Sequence, residues 1–298
     1  MSLPPRGSGG GGSTAILLVM GACACFAALD TGSKFVSATV PVMMVLWVRY
    51  IAQLVFTFGY LLPRQGGSPF ATRHPLLQVL RGLLLLLCSV LAFLCLMFLP
   101  VGEFTAIVMI SPIVVTLLST LLLREKVSVP RWGIVVGGFI GVLLVLQPGA
   151  ATFTWAMLLP LVLVGANAAF QILTSILAKS EQAGTTHSIT GVVGAVVTTL
   201  ALPLFWRPDQ TLAVWLVILA MSALGAVGHY LLIVAYSRAT PARLTPYLYT
   251  QIAFAALAGW LAFGHAPDAL AFAGFGVISI CGMLGPWIGE REARRARH

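Results

Sequence analysis

Charge is what this 298-residue sequence has least of: Asp, Glu, Lys and Arg make up 8% of it, and only eight residues are acidic. Soluble globular domains carry about 25% charged residues. With 59% hydrophobic residues and a mean hydropathy of +1.00, a soluble fold of this size has no room to hide its apolar surface, and what stayed exposed would aggregate. A cytosolic enzyme, a disordered tail protein and a secreted disulfide scaffold are excluded. The cysteines, Cys23, Cys25, Cys88, Cys95 and Cys281, fall in apolar stretches without a CxxC pair or a histidine at ligand spacing. They read as buried free thiols, so no metal site is expected. HExxH, GxSxG, a P-loop lysine and paired intramembrane aspartates are all missing. No catalytic residue, no cofactor and no autonomous ATP-driven pump follow. The net charge of +9 does not imply nucleic acid, which needs basic residues gathered on a soluble face; here they sit at the edges of apolar runs.

Those runs are the dominant feature. Crossing about 30 Å of hydrocarbon takes about 20 mostly apolar residues, and ten segments meet or approach that length, near 14–37, 40–62, 75–98, 103–123, 130–147, 154–178, 187–205, 210–236, 243–263 and 268–289. The first dozen residues, with four glycines at 9–12, read as a disordered lead through residue 13, and residues 290–298 as a basic tail. Lys and Arg favour the cytoplasmic side in short loops. With the N-terminus inside, thirteen of the seventeen are cytoplasmic, Arg207 alone is in an outer loop, and Lys34, Arg49 and Arg81 lie within spans. Both termini are therefore expected in the cytoplasm.

The chain also repeats. Gly21-Ala-Cys-Ala-Cys-Phe-Ala-Ala-Leu29 matches Gly165-Ala-Asn-Ala-Ala-Phe-Gln-Ile-Leu173, with Gly, Ala, Ala, Phe and Leu in register on spans one and six. The fourth spans are entered through Thr105 and Thr245. Together with the five-plus-five span count, this gives two halves, 14–147 and 154–289. Five being odd, the second enters the membrane from the opposite side. Inverted repeats recur in secondary transporters, with the substrate site between halves near the midplane. The expected fold is all-α integral membrane, ten helices as two inverted five-helix repeats.

Residues 14–289 resemble the drug/metabolite transporter superfamily, in its EamA-type ten-span branch. The resemblance is most specific at Leu99-Pro-Val-Gly-Glu103, Ser111-Pro112, Leu123-Arg-Glu-Lys126 and the glycines 133, 137, 138 and 141. Asp30-Thr-Gly-Ser-Lys34 followed by Arg49-Tyr50 is similar to the branch with carriers for amino acids, S-adenosylmethionine and riboflavin. The second copy departs from the pattern, with His265 in the place of Glu125.

Ionisable residues at depth are costly and usually face a bundle interior. At 1.5 Å per residue, Asp30 and Arg49 share a depth of about 10–13 Å below the outer face. Asp30 and Lys34 share a helix face at i,i+4, and Glu103 stands at the outer edge of span four. Either these groups neutralise one another, or Asp30 takes a cationic group or a proton while Arg49 holds a carboxylate. Arg81, about 9 Å from the inner end of span three, either snorkels to the headgroups or meets an anionic substrate. Trp47 and Tyr50 flank Arg49 as stacking or packing residues. Asn167, Gln171 and Thr174 share one face of span six. With His229, Tyr230, Tyr247, Tyr249 and Gln251, they either bond between helices or line a wall opposite Asp30 and Arg49. Pro112, Pro160 and Pro246 are expected to kink their spans. Gly133, Gly137 and Gly141 on span five and Cys281, Gly285 and Gly289 on span ten form small-residue ridges that bring these spans together, at an outer face or a homodimer contact.

The expected function is a secondary transporter in a bacterial-type inner membrane, moving a small polar metabolite by alternating access. Asp30 and Glu103 are the carboxylates placed to carry a proton. A passive uniporter and a non-transport scaffold are the rival readings. If the charge count holds, a reporter fused after His298 is active only in its cytoplasm-sensing form; activity of a periplasm-sensing reporter there reverses the orientation.

Overall fold

The computed structural model describes residues 10–61, 70–111, 113–114, 118, 129–147, 158–177, 180–207, 209–238, 244, 247–264 and 266–295. Its elements are α1 (Gly10–Val36), α2 (Val42–Phe56) running into a π-helical turn (Thr57–Leu61), α3 (Pro75–Phe98), α4 (Val101–Val108), α5 (Val129–Leu146), α6 (Leu159–Leu177), α7 (Ala183–Phe205), α8 (Leu212–Arg238), α9 (Thr250–Phe263) and α10 (Ala269–Arg295). In order, these ten match the ten expected segments. Among the described residues, five are long and apolar enough to cross a membrane: Thr14–Val36, Val42–Gly59, Pro75–Phe98, Gly184–Phe205 and Leu212–Leu232. Four shorter apolar helices, Trp132–Leu146, Leu159–Thr174, Thr250–Phe263 and Ala269–Leu284, accompany them.

Polarity runs opposite to that of a soluble protein. Leu76, Leu200, Leu204, Leu212 and Leu261 are each more than 70% exposed, while Gln53, Gln78, His187, Ser188, Thr190, Thr198 and Gln251 are buried. A chain with this distribution, large leucines exposed and polar side chains buried beside its apolar core, is an integral membrane protein.

Several expectations change. α1 begins at Gly10, inside the stretch read as a disordered lead, and residues 1–9 lie outside the described residues. α7 begins at Ala183 rather than 187: Ser188 and Thr190 donate their hydroxyls to the Gly184 and Thr186 carbonyls one turn back, and Thr186 and Thr190 accept from Gln78 and Arg81 of α3, so these polar residues continue the helix instead of ending it. Pro160 occupies the first turn of α6, where its missing N–H costs no intrahelical bond, so it kinks nothing there. Pro203 inside α7 escaped notice. Pro112, Glu125, Pro246 and His265 lie outside the described residues.

α4 is broken where the proline dictates. Its helical bonding ends at Val108, and Met109 and Ile110 form a turn. A proline at 112 has no N–H for the Val108 carbonyl four residues back. The Ser111 hydroxyl donates to that carbonyl instead, at 2.7 Å. A corresponding turn at Tyr249 precedes α9, where the Thr250 hydroxyl donates to the Tyr247 carbonyl at 2.7 Å and the Cys23 thiol of α1 approaches the Leu248 carbonyl at 3.6 Å. Irregular backbone in a membrane protein is tolerated only where freed groups find such partners. At the far end of α9, Gly264 takes φ +68 and donates to the Trp260 carbonyl, and Asp268 then caps α10 by accepting from the Ala271 N–H at 2.7 Å.

Helices α1 and α8 pack together, as do α3 and α6. α1 also meets α9, and α6 meets α4; α2 meets α8, and α7 meets α3. The pairs α2–α7, α4–α9 and α5–α10 are also in extensive contact. Advancing every helix by five positions maps these pairs onto one another. The α5–α10 contact is the ridge expected from the glycines: a Cβ on Gly137 would meet Cys281, and one on Gly141 would meet Ile278 and the Gly274 carbonyl. On the α10 side the expected Cys281 is joined by Gly274, which was not expected, and the surroundings of Gly285 and Gly289 lie outside the described residues.

Tyr50 is fully buried, and a Cβ on Gly194 of α7 would overlap its ring. Gly194→Val is therefore expected to cost about 1–3 kcal/mol, read as a lower thermal midpoint in detergent. Tyr50→Ala in the same chain should recover part of the loss; additive losses would show that the two side chains do not collide.

Candidate functional site

The polar groups converge from both halves. On α1, Phe26, Asp30 and Lys34 recur at helical spacing along one half-buried stripe. The ring of Phe26 meets that of His229 on α8 edge-on at 4.9 Å between centroids. Asp30 faces Arg49 of α2 closely enough for the two charges to interact, yet among the described residues neither makes a hydrogen bond or an ion pair. Arg49 also acts electrostatically on His229, and His229 lies within the field of His187 and Arg81. A belt thus runs Asp30, Arg49, His229, His187, Arg81, crossing from α1 and α2 through α8 and α7 to α3.

Arg81 is the best-anchored member. Its Nε donates to Thr174 Oγ1 on α6 at 2.8 Å, its Nη1 donates to Thr190 Oγ1 on α7 at 2.5 Å, and its guanidinium lies 4.7 Å from the Phe170 ring centroid. Each threonine hydroxyl in turn donates to its own helix, Thr174 to the Phe170 carbonyl and Thr190 to the Thr186 carbonyl, both at 2.7 Å. That leaves their lone pairs for arginine. One turn back, Gln78 donates to Thr186 Oγ1 at 3.0 Å. The side chain is thus held sideways between helices rather than extended towards the end of α3.

Outside this belt, Lys34 caps the end of α3, donating to the Leu96 and Leu99 carbonyls at 2.9 and 2.8 Å. A helix C-terminus favours a cation. Lys34 and Glu103 interact electrostatically and both line a cavity of about 250 Å3, walled by Phe98, Pro100, Gly259 and Phe263. Gly102 forms part of that wall, where a Cβ would press the Ala256 backbone.

The remaining candidates fall as follows. Asn167 and Gln171 bond to each other at 2.9 Å, one and two turns along α6 from Thr174. Trp47 Nε1 donates to Thr199 of α7 at 3.0 Å, and its ring meets Trp206 edge-on. Tyr50 is packed against Gly194. Tyr230 stacks edge-on with Phe56 at 5.7 Å. Tyr247 and Gln251 stand at the turn before α9 and on its first turn, Tyr247 against the cluster of Ala15, Val19 and Cys23. Among the described residues, no three His, Cys, Asp or Glu side chains are grouped to hold a metal.

Residues 13–147 match the EamA-like transporter family. A riboflavin transporter from Rhizobium johnstonii is 30% identical over 82% of this chain and 81% of its own length. The chain belongs to the EamA family. A pseudopaline exporter from Pseudomonas aeruginosa is 27% identical over 87% of this chain and 91% of its own length. A solved crystal structure superposes with a TM-score of 0.65 at 17% identity, covering 94% of this EamA chain and 98% of that one, which shows the shared fold.

His187, Thr190, Gln78 and Phe170 were not singled out by sequence. The run Thr185-Thr-His-Ser-Ile-Thr190 carried the signal for two of them: hydroxyls at that density inside an apolar stretch need partners. A double-mutant cycle of Arg81→Gln and Thr190→Val is expected to show a coupling of about 1–2 kcal/mol in thermal stability. Strict additivity would contradict the hydrogen bond.

Proposed function

We propose that this EamA protein is a secondary transporter that moves a small polar organic metabolite across a bacterial inner membrane by alternating access. The observation that carries the reading is the polar belt from Asp30 to Arg81, drawn from both halves of a bundle whose extensive helix pairings exchange under a shift of five. Such exchange is what two inverted five-helix repeats, 14–147 and 154–289 with both termini cytoplasmic, produce in one chain. It makes inward- and outward-open packings near-equal in energy. The cytoplasmic tail is residues 290–298, and the chain is not an enzyme.

The chemistry assigns roles. Asp30 faces Arg49 with no direct hydrogen bond between them, so a cargo group or a proton can insert between their charges. Asn167, Gln171, Thr174, His229 and Tyr230 supply neutral hydrogen bonds along the opposite wall. Trp47, Tyr50, Tyr247 and Gln251 hold α2 and α9 in place, and Lys34 and Glu103 line the outer mouth. The relatives named for riboflavin and pseudopaline support an organic metabolite as cargo and leave both directions of movement open. Proton coupling through Asp30 is the finer reading. A homodimer through the face flanking α5 and α10 is the expected assembly.

Proteoliposome uptake of labelled amino acids, S-adenosylmethionine, riboflavin and polyamines tests this. Accumulation that depends on an inward pH gradient and is lost in Asp30→Asn is the expected result. Gradient-independent equilibration, unchanged in Asp30→Asn, establishes a uniporter instead. If replacing Asp30, Lys34 and Arg49 together by apolar residues leaves the protein's cellular role intact and no flux is found, it is a scaffold.

A further inference from the structure

The charges inside the helices do not balance. Asp30 has Arg49 opposite it, and Lys34 has Glu103. Arg81 has no acid. Its partners are two threonine hydroxyls and a phenyl ring, and the ionisable groups that feel it are the imidazoles of His187 and His229. A guanidinium carries five N–H donors; two are used on Thr174 and Thr190, and among the described residues the other three meet no acceptor. An isolated cation within a membrane segment is expensive, and an uncompensated buried charge is among the costliest features a fold can keep. Snorkelling does not relieve it. Thr190 stands seven residues into α7, about 10 Å from that helix's start, as deep as Arg81 stands in α3. The bond to Thr190 holds Nη1 at that depth.

Two further atoms around Arg81 lack partners. His187 is 7% exposed and its Nε2 has no hydrogen bond; Gln78, one turn from Arg81, is fully buried with Oε1 unpartnered. A neutral imidazole can donate through Nε2 to an anion beside the guanidinium. The Thr174 and Thr190 bonds fix the plane of the guanidinium, leaving its terminal N–H groups for the two parallel bonds that a carboxylate accepts.

We propose that Arg81 is a cargo-binding residue, with His187 beside it, and that the transported compound carries a carboxylate which supplies the missing negative charge. This rests on the reading of the chain as a carrier and narrows its cargo to anionic or zwitterionic compounds. Thr174 and Thr190 are positioning residues, and the Asn167–Gln171 pair further along α6 is placed to meet the remainder of the compound.

The test measures binding and needs no knowledge of the cargo. The full chain in phosphatidylcholine nanodiscs is titrated with acetate against acetamide and chloride at matched ionic strength, following the thermal midpoint. Acetate is expected to stabilise saturably and the two controls not. Arg81→Gln should weaken acetate by about tenfold or more, the value of a charge-assisted bond, Thr190→Val by less, and Arg291→Gln, on the exposed end of α10, not at all. If Arg81→Gln does not fold, Arg81→Lys replaces it: losing the two-pronged geometry, it should weaken acetate while keeping the charge. Equal midpoints with acetate and acetamide, or an acetate response that survives loss of Arg81, overturn the proposal. Repeating the series with phosphatidylglycerol identifies a headgroup: Arg81-dependent stabilisation by that lipid which abolishes the acetate response assigns the anion to the bilayer and also overturns it. Because the readout is binding, an absence of flux in vesicles counts against the carrier reading and leaves this result separately interpretable.

Discussion

A polar group inside hydrocarbon must find a partner within the protein, and nearly every feature of this chain is a solution to that constraint. Backbone groups are satisfied by making every described element a helix. Where proline at 112 removes a donor, the Ser111 hydroxyl takes its place on the Val108 carbonyl. Lys34 finds the loose carbonyls at the end of α3. The threonines at 174 and 190 satisfy their own hydrogens on their own helices and keep lone pairs for Arg81. Among the charged groups of the described residues, the Asp30–Arg49 gap and the open edge of Arg81 are what this accounting leaves unsatisfied, and the proposed cargo is assigned there.

The fold serves that division of labour. Small residues lie where helices must approach, as at Gly194 beneath Tyr50 and Gly141 against Gly274. Close contact at these points fixes α2 on α7 and α5 on α10, both self-paired under exchange of the halves. The same shift relates the extensive contacts α1–α8 and α3–α6, α1–α9 and α4–α6, and α2–α8 and α3–α7. The belt from Asp30 to Arg81 spans that divide, with Asp30, Arg49 and Arg81 from the first half and His187 and His229 from the second.

Much of this was written in residue order. The ten apolar runs correspond in order to ten helices among the described residues, and in five of them the length that hydrocarbon thickness imposes is met. Asp30, Arg49 and Arg81 stood out because charge is rare among their neighbours. The start of α7 was misplaced for the converse reason: Thr185 to Ser188 are polar, and an apolar-run criterion treats them as loop, although Thr186 and His187 accept bonds from Gln78 and Gln53 across the bundle. The partners of Lys34 are backbone carbonyls 62 and 65 residues away, and carbonyls leave no signature in a sequence. Nor could spacing tell that Tyr50 packs while its neighbour Arg49 stays half-open, since both sit on the same apolar helix and only the glycine opposite decides it.

The central claim is that the two halves rock about the belt, opening one end as the other closes. Spin labels at Leu76 and Ser180 report the inner end, and labels at Phe98 and Phe263 report the outer mouth, in full-length protein reconstituted in lipid. Two distance populations at each pair, shifting in opposite directions when the Asp30 and Arg81 charges are altered, are the predicted result. A single unchanging distance at both ends would contradict the account.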